Sequence, residues 1–374
     1  MNNCVIFVAN RGYALTSSRT EIIQSFISSG WKVVVVTSSD IDVYKLIELG
    51  VIHEPIDFFR GRFSPIKDIL SFYGLFKIYK NFKPALVHHF HAKPVIFGTL
   101  AAYLALGDTV KTVNTITGLG YAFINKGLYS KIAGLGYKIA MKYSAVTIFQ
   151  NVDDQKLFLN NNWVEINKIK LIVSSGVNIN QFNYIKRVNP NKSKLVITMI
   201  GRLLKQKGTR EFMKVAENIS LKFPDVRFLW AGEEELKHPD SEKSSLFSHM
   251  KNIEYLGDVK NILDVLTVSH ILLFPSFREG VPRAVMEASA TGLPIVAFDA
   301  PGVRECVQND ITGYLVSLSS VDALTEKIEY LINNENVRLA MGEAGSKWIK
   351  KNFDLAIIQN KYYDCYNELG INLD

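Results

Sequence analysis

Short runs of apolar, often β-branched residues alternate with longer amphipathic stretches along the whole chain, and this alternation constrains the fold more than any other feature. In the first half we predict strands at 5–9, 33–37, 86–89, 113–115 and 146–150, and helices at 20–29, 65–81, 94–106 and 130–141. Near-continuous apolar strands separated by helices are typical of a parallel sheet covered on both faces. Right-handed crossovers then give a doubly wound α/β domain.

The same alternation begins again after an Asn- and Lys-rich stretch at 178–192. The second series of strands is expected near 195–200, 226–231, 253–256, 271–274 and 294–298. The sequence of 374 residues therefore predicts two Rossmann-like doubly wound domains facing a central cleft. We assign 1–185 to the first domain and 186–352 to the second, and we expect a final helix in 353–374 to cross back to the first domain.

Cysteine usage and hydropathy exclude several classes of protein. Cys4, Cys306 and Cys365 lie far apart in the sequence, so neither a disulfide framework nor a zinc knuckle is supported. The apolar run at 4–9 is too short for a signal peptide, and the longest apolar stretch, 95–107, is shorter than the roughly 20 residues of a membrane-spanning helix. We expect a cytoplasmic protein that does not cross a bilayer.

Positive charge is concentrated in the first half of the chain. Residues 60–142 contain twelve basic residues against only Asp68 and Asp108. The twelve are Arg60, Arg62, Lys67, Lys77, Lys80, Lys83, Lys93, Lys111, Lys126, Lys131, Lys138 and Lys142. Aromatic and aliphatic residues interleave with the lysines at 72–80, which favours a helix on an anionic membrane surface. The alternative is a solvated basic face whose apolar side packs on the core.

The segment 274–288 carries the strongest local signal for chemistry. A predicted strand ends at 274, Glu279 and Gly280 follow in a loop, and Pro282 suits the first position of a helix. Gly280 allows a ligand to approach the backbone, and the amides of the helix start favour an anion. Glu287 lies in a predicted buried helix, where an ionised carboxylate needs donors such as ribose hydroxyls. The alternatives are a surface carboxylate at Glu287 and a solvated loop charge at Glu279.

The loop after the first strand of the second domain gives a second signal. Arg202 offers a planar guanidinium for phosphate oxygens and Lys207 a mobile ammonium, so the two can hold a diphosphate. Surface cations near a helix start are the alternative. A third cluster, His88, His89 and His91, does not support a metal site, because His88 and His91 fall on opposite faces of a strand. These histidines are either structural or, for His89 and the nearby Lys93, in contact with an acceptor.

These motifs together resemble the retaining, GT-B type glycosyltransferases of family 4. The resemblance covers the whole chain and rests on Glu279-x7-Glu287, Gly201-Arg202 with Lys207-Gly208, and the segments 230–233 and 255–257. The first half is similar to a bacterial surface-polysaccharide branch of the family through 87–94 and 113–121. Members of that branch build O-antigen or capsule glycans on undecaprenyl diphosphate at the cytoplasmic face of the membrane.

The resemblance implies a role for each matching residue. Arg202 and Lys207 would bind the donor diphosphate and stabilise charge on the leaving UDP, and Glu287 would bind the ribose. The transferred sugar would contact Glu279 and the backbone N–H groups of Gly280 and Val281. Same-face transfer would use the leaving phosphate to take the acceptor proton, with no protein nucleophile and no metal or other cofactor. The first domain would bind the acceptor and the second domain the nucleotide sugar.

The chain departs from the family pattern at two positions in the first domain. Many relatives have His-Gly where this chain has Thr117-Gly118, so the role of that histidine does not transfer. Many relatives also have a glycine pair after the first strand, whereas this chain leaves phosphate contact there to Gly12.

We therefore expect a glycosyltransferase that moves a hexose or N-acetylhexosamine from a UDP-sugar to an undecaprenyl-diphosphate-linked saccharide in O-antigen or capsule synthesis. Its partners would be the donor, the lipid-linked acceptor and the inner-leaflet surface, where the protein would be peripheral. Nucleic acid is not expected, because no recognition motif accompanies the basic region. The alternatives are an epimerase or phosphorylase of the same fold, and a non-catalytic nucleotide-sugar sensor or membrane-associated scaffold.

Overall fold

A computed structural model describes residues 3–59, 64–119, 123, 127–187, 195–236 and 238–373. The chain divides into two compact units. The first contains the residues up to Ser175 together with those from Ala356 onward, and the second is Gly176–Leu355. The divisions therefore fall at 175/176 and 355/356, where the sequence suggested 185/186 and 352/353.

The first unit is built on a parallel sheet with strand order β3-β2-β1-β4-β5-β6-β7 among the described residues. The strands are β1 Cys4–Arg11, β2 Lys32–Ser38, β3 Ile52–Pro55, β4 Leu86–Phe90, β5 Lys111–Ile116, β6 Val146–Phe149 and β7 Ile169–Leu171. The helices between them are α1 Tyr13–Thr16, α2 Thr20–Ser28, α3 Asp42–Glu48, α4 Pro65–Phe82, α5 Thr99–Leu106, α6 Leu128–Ala140 and α7 Val152–Asn160. The helix predicted at 94–106 begins as a π-helix, Pro94–Gly98, before α5.

The second unit repeats this plan with strand order β10-β9-β8-β11-β12-β13. Its strands are β8 Val196–Ile200, β9 Arg227–Ala231, β10 Ile253–Gly257, β11 Ile271–Phe274, β12 Ile295–Phe298 and β13 Gly313–Val316. Its helices are α8 Thr209–Lys222, α9 Ile262–Val268, α10 Arg283–Ala290, α11 Val321–Asn333 and α12 Glu335–Asn352. Pro282 is the residue before α10 rather than its first residue, because its ψ of 116° is extended.

The final helix, α13 (Leu355–Glu368), packs almost entirely on the first unit. Its Tyr362 and Tyr366 join the core on one face of the sheet, where alternate β1 residues such as Phe7 point. Tyr362 also accepts a hydrogen bond of 3.0 Å from Arg19 Nη2, and the guanidinium lies 4.8 Å from the Tyr362 ring centroid. Arg19 is only 2% exposed, so Tyr362 supplies one of the hydrogen-bond acceptors that this buried cation needs.

The strand order reverses at one point in each sheet. In the first sheet the reversal lies between β1 and β4, and in the second between β8 and β11. Ligands of open α/β sheets bind outside the carboxyl ends of the strands at such a point. No helix among the described residues is both long and apolar enough to cross a membrane.

Candidate active site

Four loops meet at the carboxyl edge of the second sheet, and backbone hydrogen bonds join them. Leu203 N, in the loop after β8, donates a hydrogen bond of 2.9 Å to Glu233 O in the loop after β9. Gln206 O, also in the loop after β8, accepts a hydrogen bond of 3.0 Å from Phe277 N in the loop after β11. Glu279 N, in the loop after β11, donates a hydrogen bond of 2.9 Å to Pro301 O in the loop after β12. The loops that carry Arg202, Lys207 and Glu279 are therefore held in register.

Two glycines allow these loops to approach each other closely. A Cβ on Gly208 would lie 2.1 Å from Pro275 O, and a Cβ on Gly232 would lie 2.0 Å from Gly201 O. Gly208 has a φ of +77° and Gly232 a φ of +149°, conformations that favour glycine. The short 3₁₀ turn Lys205–Lys207 ends at Gly208, so this glycine places Lys207 against the loop after β11.

Lys207 and Glu279, predicted as site residues from different loops, form an ion pair. Lys207 Nζ donates to Glu279 Oε1, which also accepts from Ser276 Oγ at 2.6 Å. Both charged side chains are largely buried. Glu279 is therefore not a solvated loop charge, and its carboxylate is oriented by two donors.

Arg202 is paired with a carboxylate that the sequence analysis did not single out. Its Nη1 donates to Glu235 Oε2 on the loop after β9, the neighbouring strand. Arg202 is 39% exposed, whereas Glu235 is 10% exposed. The guanidinium thus lies at the surface of the site, and the carboxylate lies beneath it.

Glu287 lies in α10 and is buried, as its apolar sequence neighbours suggested, so the interpretation as a surface carboxylate is wrong. Arg283, one helical turn earlier, donates to Glu287 Oε1 at 2.8 Å. The i, i+4 spacing makes this contact a property of the helix itself. Gly280 and Val281 lie in the loop before α10, and Val281 is buried. The Gly280 carbonyl packs on Gly302, where an added Cβ would lie 2.4 Å away.

In the first unit, Gly12 follows β1 at the reversal point of the sheet. Its N–H donates to Asp40 Oδ2 at 2.9 Å, and a Cβ at this position would lie 2.6 Å from Asp40 Oδ1. The predicted phosphate contact therefore concerns an amide that has a carboxylate partner in this structure. In the segment after the neighbouring strand β4, Lys93 Nζ pairs with buried Asp68 of α4 at 2.6 Å.

The histidines of β4 are structural, and the prediction that His89 contacts an acceptor is wrong. His89 is completely buried between Tyr79 and Asn114, each 2.9 Å from one of its ring nitrogens. His88 lies 2.7 Å from the Tyr366 hydroxyl. Burial lowers the pKa of His89 to about 3 and the pKa of His88 well below its ordinary value. Over the described ranges, no group of three or more His, Cys, Asp or Glu side chains could hold a metal ion.

The basic region combines exposed lysines with exposed apolar side chains. Arg60, Arg62 and Lys126 lie outside the described residues. On α4, Leu75 and Tyr79 pack in the core, yet Ile66 on the same helix is 76% exposed. Other large hydrophobic residues exposed on α4 and α6 are Ile69, Leu70, Tyr73, Leu128, Ile132, Leu135 and Ile139. The apolar side of α4 therefore packs on the core, as the alternative interpretation expected, and further apolar side chains are exposed beside the lysines.

Comparison with known proteins decides the family. A model of "Glycosyl transferases group 1" matches 180–348, and a model of "Glycosyl transferase 4-like" matches 4–151. The N,N'-diacetylbacillosaminyl-diphospho-undecaprenol alpha-1,3-N-acetylgalactosaminyltransferase of Campylobacter jejuni is 28% identical over 98% of this chain and 99% of its own. The chain belongs to the GT-B glycosyltransferases of family 4.

A second relative and a solved structure agree with this assignment. The UDP-Gal:alpha-D-GlcNAc-diphosphoundecaprenol alpha-1,3-galactosyltransferase of Escherichia coli is 27% identical over 83% of this glycosyltransferase and 82% of its own chain. The crystal structure of Anabaena Alr3699/HepE in complex with UDP and glucose superposes with a TM-score of 0.77 at 15% identity, covering 98% of this chain and 99% of that one. That structure shares the fold, and the predicted GT-B architecture of two parallel-sheet domains is confirmed.

Three contacts of the glycosyltransferase's second unit were missed in the sequence. The contact of Arg283 with Glu287 could have been predicted, because residues four apart on a helix lie beside each other. Ser276 is three residues from Glu279 in an irregular loop, where spacing predicts no contact. Glu235 and Arg202 lie in the loops after two neighbouring strands, β9 and β8, so their ion pair can be predicted only when the strand order is known.

Proposed function

We propose that this glycosyltransferase moves a sugar, with retention, from a UDP-sugar to an undecaprenyl-diphosphate-linked saccharide in O-antigen or capsule synthesis. The observation that carries the proposal is the ion pair of Lys207 with Glu279, at the loop edge where the strand order of the second sheet reverses. The names of two relatives support the proposed substrates: both relatives act on diphosphoundecaprenol-linked sugars, and one uses UDP-Gal.

The donor would bind at the carboxyl edge of the second sheet. Arg202 and Lys207 would hold the diphosphate, since an exposed guanidinium and a largely buried ammonium provide two positive charges without a metal ion. Glu287 would accept hydrogen bonds from the ribose hydroxyls at its second oxygen, because Arg283 occupies Oε1. Glu279, oriented by Ser276, would bind the transferred sugar.

The backbone and the first unit would complete the substrate contacts. We assign the amides of Gly280 and Val281 to the donor. Gly12 would contribute its amide only if Asp40 gave up its hydrogen bond, so we give this residue the weakest role. The first unit would bind the acceptor.

In the proposed reaction, the bond between the anomeric carbon and the β-phosphate oxygen breaks, and the acceptor oxygen bonds to the same carbon on the same face. The acceptor proton passes to the leaving phosphate, so the products are the extended lipid-linked saccharide and UDP. Arg202 and Lys207 would stabilise the charge that develops on the phosphate. Such preorganised charges are worth several kcal/mol in a shielded site.

We also propose that the exposed lysine and hydrophobic side chains of α4 and α6 dock on the anionic inner leaflet of the membrane. Exposed apolar residues such as Ile66 and Leu128 would enter the interface, and the lysines would meet the lipid charge. Reversal to Glu of Lys77, Lys80 and Lys138 should abolish flotation with anionic liposomes. Reversal of the exposed Lys214, Lys251 and Lys260 of the second unit makes the same charge change and should not.

Donor consumption tests the proposed function. UDP release is measured over a panel of nucleotide sugars with a prenyl-diphosphate-linked saccharide as acceptor and with EDTA present. We expect release from one donor that requires the acceptor and falls at least 100-fold in Arg202→Ala and Glu279→Ala. Arg210→Ala is the matched control, since Arg210 is exposed and pairs with Glu242 instead. UDP binding without consumption of any donor would instead indicate the nucleotide-sugar sensor.

A further inference from the structure

Glu235 is an acidic residue, with a side chain only 10% exposed, at a site that is expected to bind an anion. It lies opposite Arg202, and its carboxylate is the protein partner of the Arg202 guanidinium within the described part of the chain. A donor diphosphate would approach the same guanidinium. Two anionic groups would then share one cation, and in a partly shielded site this is electrostatically unfavourable.

The backbone fixes Glu235 in this position. The bond from Leu203 N to Glu233 O joins the two loops next to Arg202, and His238 N donates to Glu235 O at 2.8 Å. Gly232 brings the loops together, as its contact with Gly201 shows. These backbone contacts hold the two loops that carry Arg202 and Glu235 next to each other, within reach of an ion pair.

The loop after β9 also carries further negative charge. Glu234 precedes Glu235 and accepts a hydrogen bond from Ser244 N at 2.6 Å. Hydrogen bonding to Ser244 lowers the pKa of Glu234, so this carboxylate stays ionised near neutral pH. Glu235 is thus part of an acidic loop beside the cation, and the loop opposes a second anion there.

We propose that Arg202 exchanges Glu235 for the donor diphosphate, and that the return of Glu235 to Arg202 speeds release of the nucleoside diphosphate product. The inference rests on the proposed function, since it needs a diphosphate at Arg202. Glu235 touches no substrate in this scheme. It lowers affinity for the diphosphate by competing for the guanidinium, and it keeps that guanidinium in place when the site is empty.

The variant Glu235→Gln separates charge from geometry. The amide oxygen of glutamine still accepts a hydrogen bond from Arg202, but the negative charge is gone. UDP should therefore bind about tenfold more tightly, equivalent to about 1.4 kcal/mol, and dissociate about tenfold more slowly. The gain should shrink at high salt. Uridine, which has no phosphate, should bind the variant and the wild type equally.

Two further variants serve as controls in calorimetric and stopped-flow UDP titrations. Glu242→Gln removes an equally buried carboxylate that pairs with Arg210, and it should leave UDP affinity unchanged. Glu235→Gln introduced into Arg202→Ala should add no affinity, because the cation for which Glu235 competes is absent. A thermal melt of each variant confirms that it is folded.

The outcomes separate this inference from the proposed function. Equal or weaker UDP binding by a folded Glu235→Gln variant overturns the exchange and makes Glu235 a positioning residue for Arg202. Tighter binding of uridine as well as UDP also overturns it, since the gain would not depend on phosphate. If the wild type binds no UDP at all, the proposed function fails, and the exchange fails with it.

Discussion

The contact of Gly208 with Pro275 determines where Lys207 lies, and Gly208→Ala tests it. The substitution places a methyl group 2.1 Å from a backbone oxygen at a φ of +77°. The left-handed conformation costs a non-glycine residue about 1–2 kcal/mol, and overpacking against backbone that must move adds about 1–3 kcal/mol. We therefore expect the free energy of unfolding of the second unit to fall by about 2–5 kcal/mol.

Gly257→Ala is the matched control for this prediction. Gly257 lies in the same unit with a φ of +66°, but a Cβ there would be 3.9 Å from its nearest neighbour, Tyr255. Only the conformational cost of about 1–2 kcal/mol applies. Urea unfolding should rank the two variants accordingly. UDP affinity should fall at least tenfold in Gly208→Ala, because Lys207 is displaced, and should not change in Gly257→Ala. Equal stability and equal UDP affinity of the two variants would refute the reasoning.

Three further predictions concern both units. Tyr362→Phe leaves buried Arg19 Nη2 without its acceptor and should lower the free energy of unfolding in urea by about 1–3 kcal/mol. The loss should be smaller in Tyr363→Phe, because the Tyr363 hydroxyl is only partly buried, and equal losses would contradict this. Wild type should bind UDP about 10–100-fold more tightly than 2′-deoxy-UDP, and Glu287→Ala should bind both equally in calorimetry; a preference that persists would exclude the ribose role. His89 is neutral when folded, so its contribution to the free energy of unfolding should fall by up to about 1.4 kcal/mol per pH unit below about pH 6.5, where its imidazole gains a proton only in the unfolded chain. Buried His88 adds to this fall in the same direction. An NMR signal of His89 that titrates between pH 5 and 8 would contradict this.

The central strands could be predicted from the sequence because they are apolar on both faces. The structure places β1, β2 and β8 within two residues of the predicted ends. The edge strands β3, β7 and β13 were missed; they are only three or four residues long, and β3 contains His53, Glu54 and Pro55. At a sheet edge, pairing with a neighbour defines the strand, and composition does not.

The candidate site was predictable one loop at a time, but its contacts were not. Lys207 and Glu279 were recognised from separate motifs, and the structure brings them into direct contact. Their ion pair depends on β8 and β11 being neighbours, which follows from strand order and not from sequence distance. Glu235 belongs to no sequence motif, and its importance becomes visible only through its ion pair with Arg202 in the loop after the adjacent strand. Motifs within one loop or helix could thus be predicted from the sequence, whereas contacts between different loops could be identified only from the fold.

The chemical structure of the reaction product tests the proposed retaining transfer most directly. The wild type and Arg202→Ala are incubated with the active UDP-sugar and a prenyl-diphosphate-linked saccharide, and the product is analysed by mass spectrometry and NMR. We expect an acceptor that is heavier by one sugar, with the anomeric configuration of the donor retained, and almost no product from Arg202→Ala. A product of inverted configuration, or equal product from Arg202→Ala, would contradict the proposed transfer.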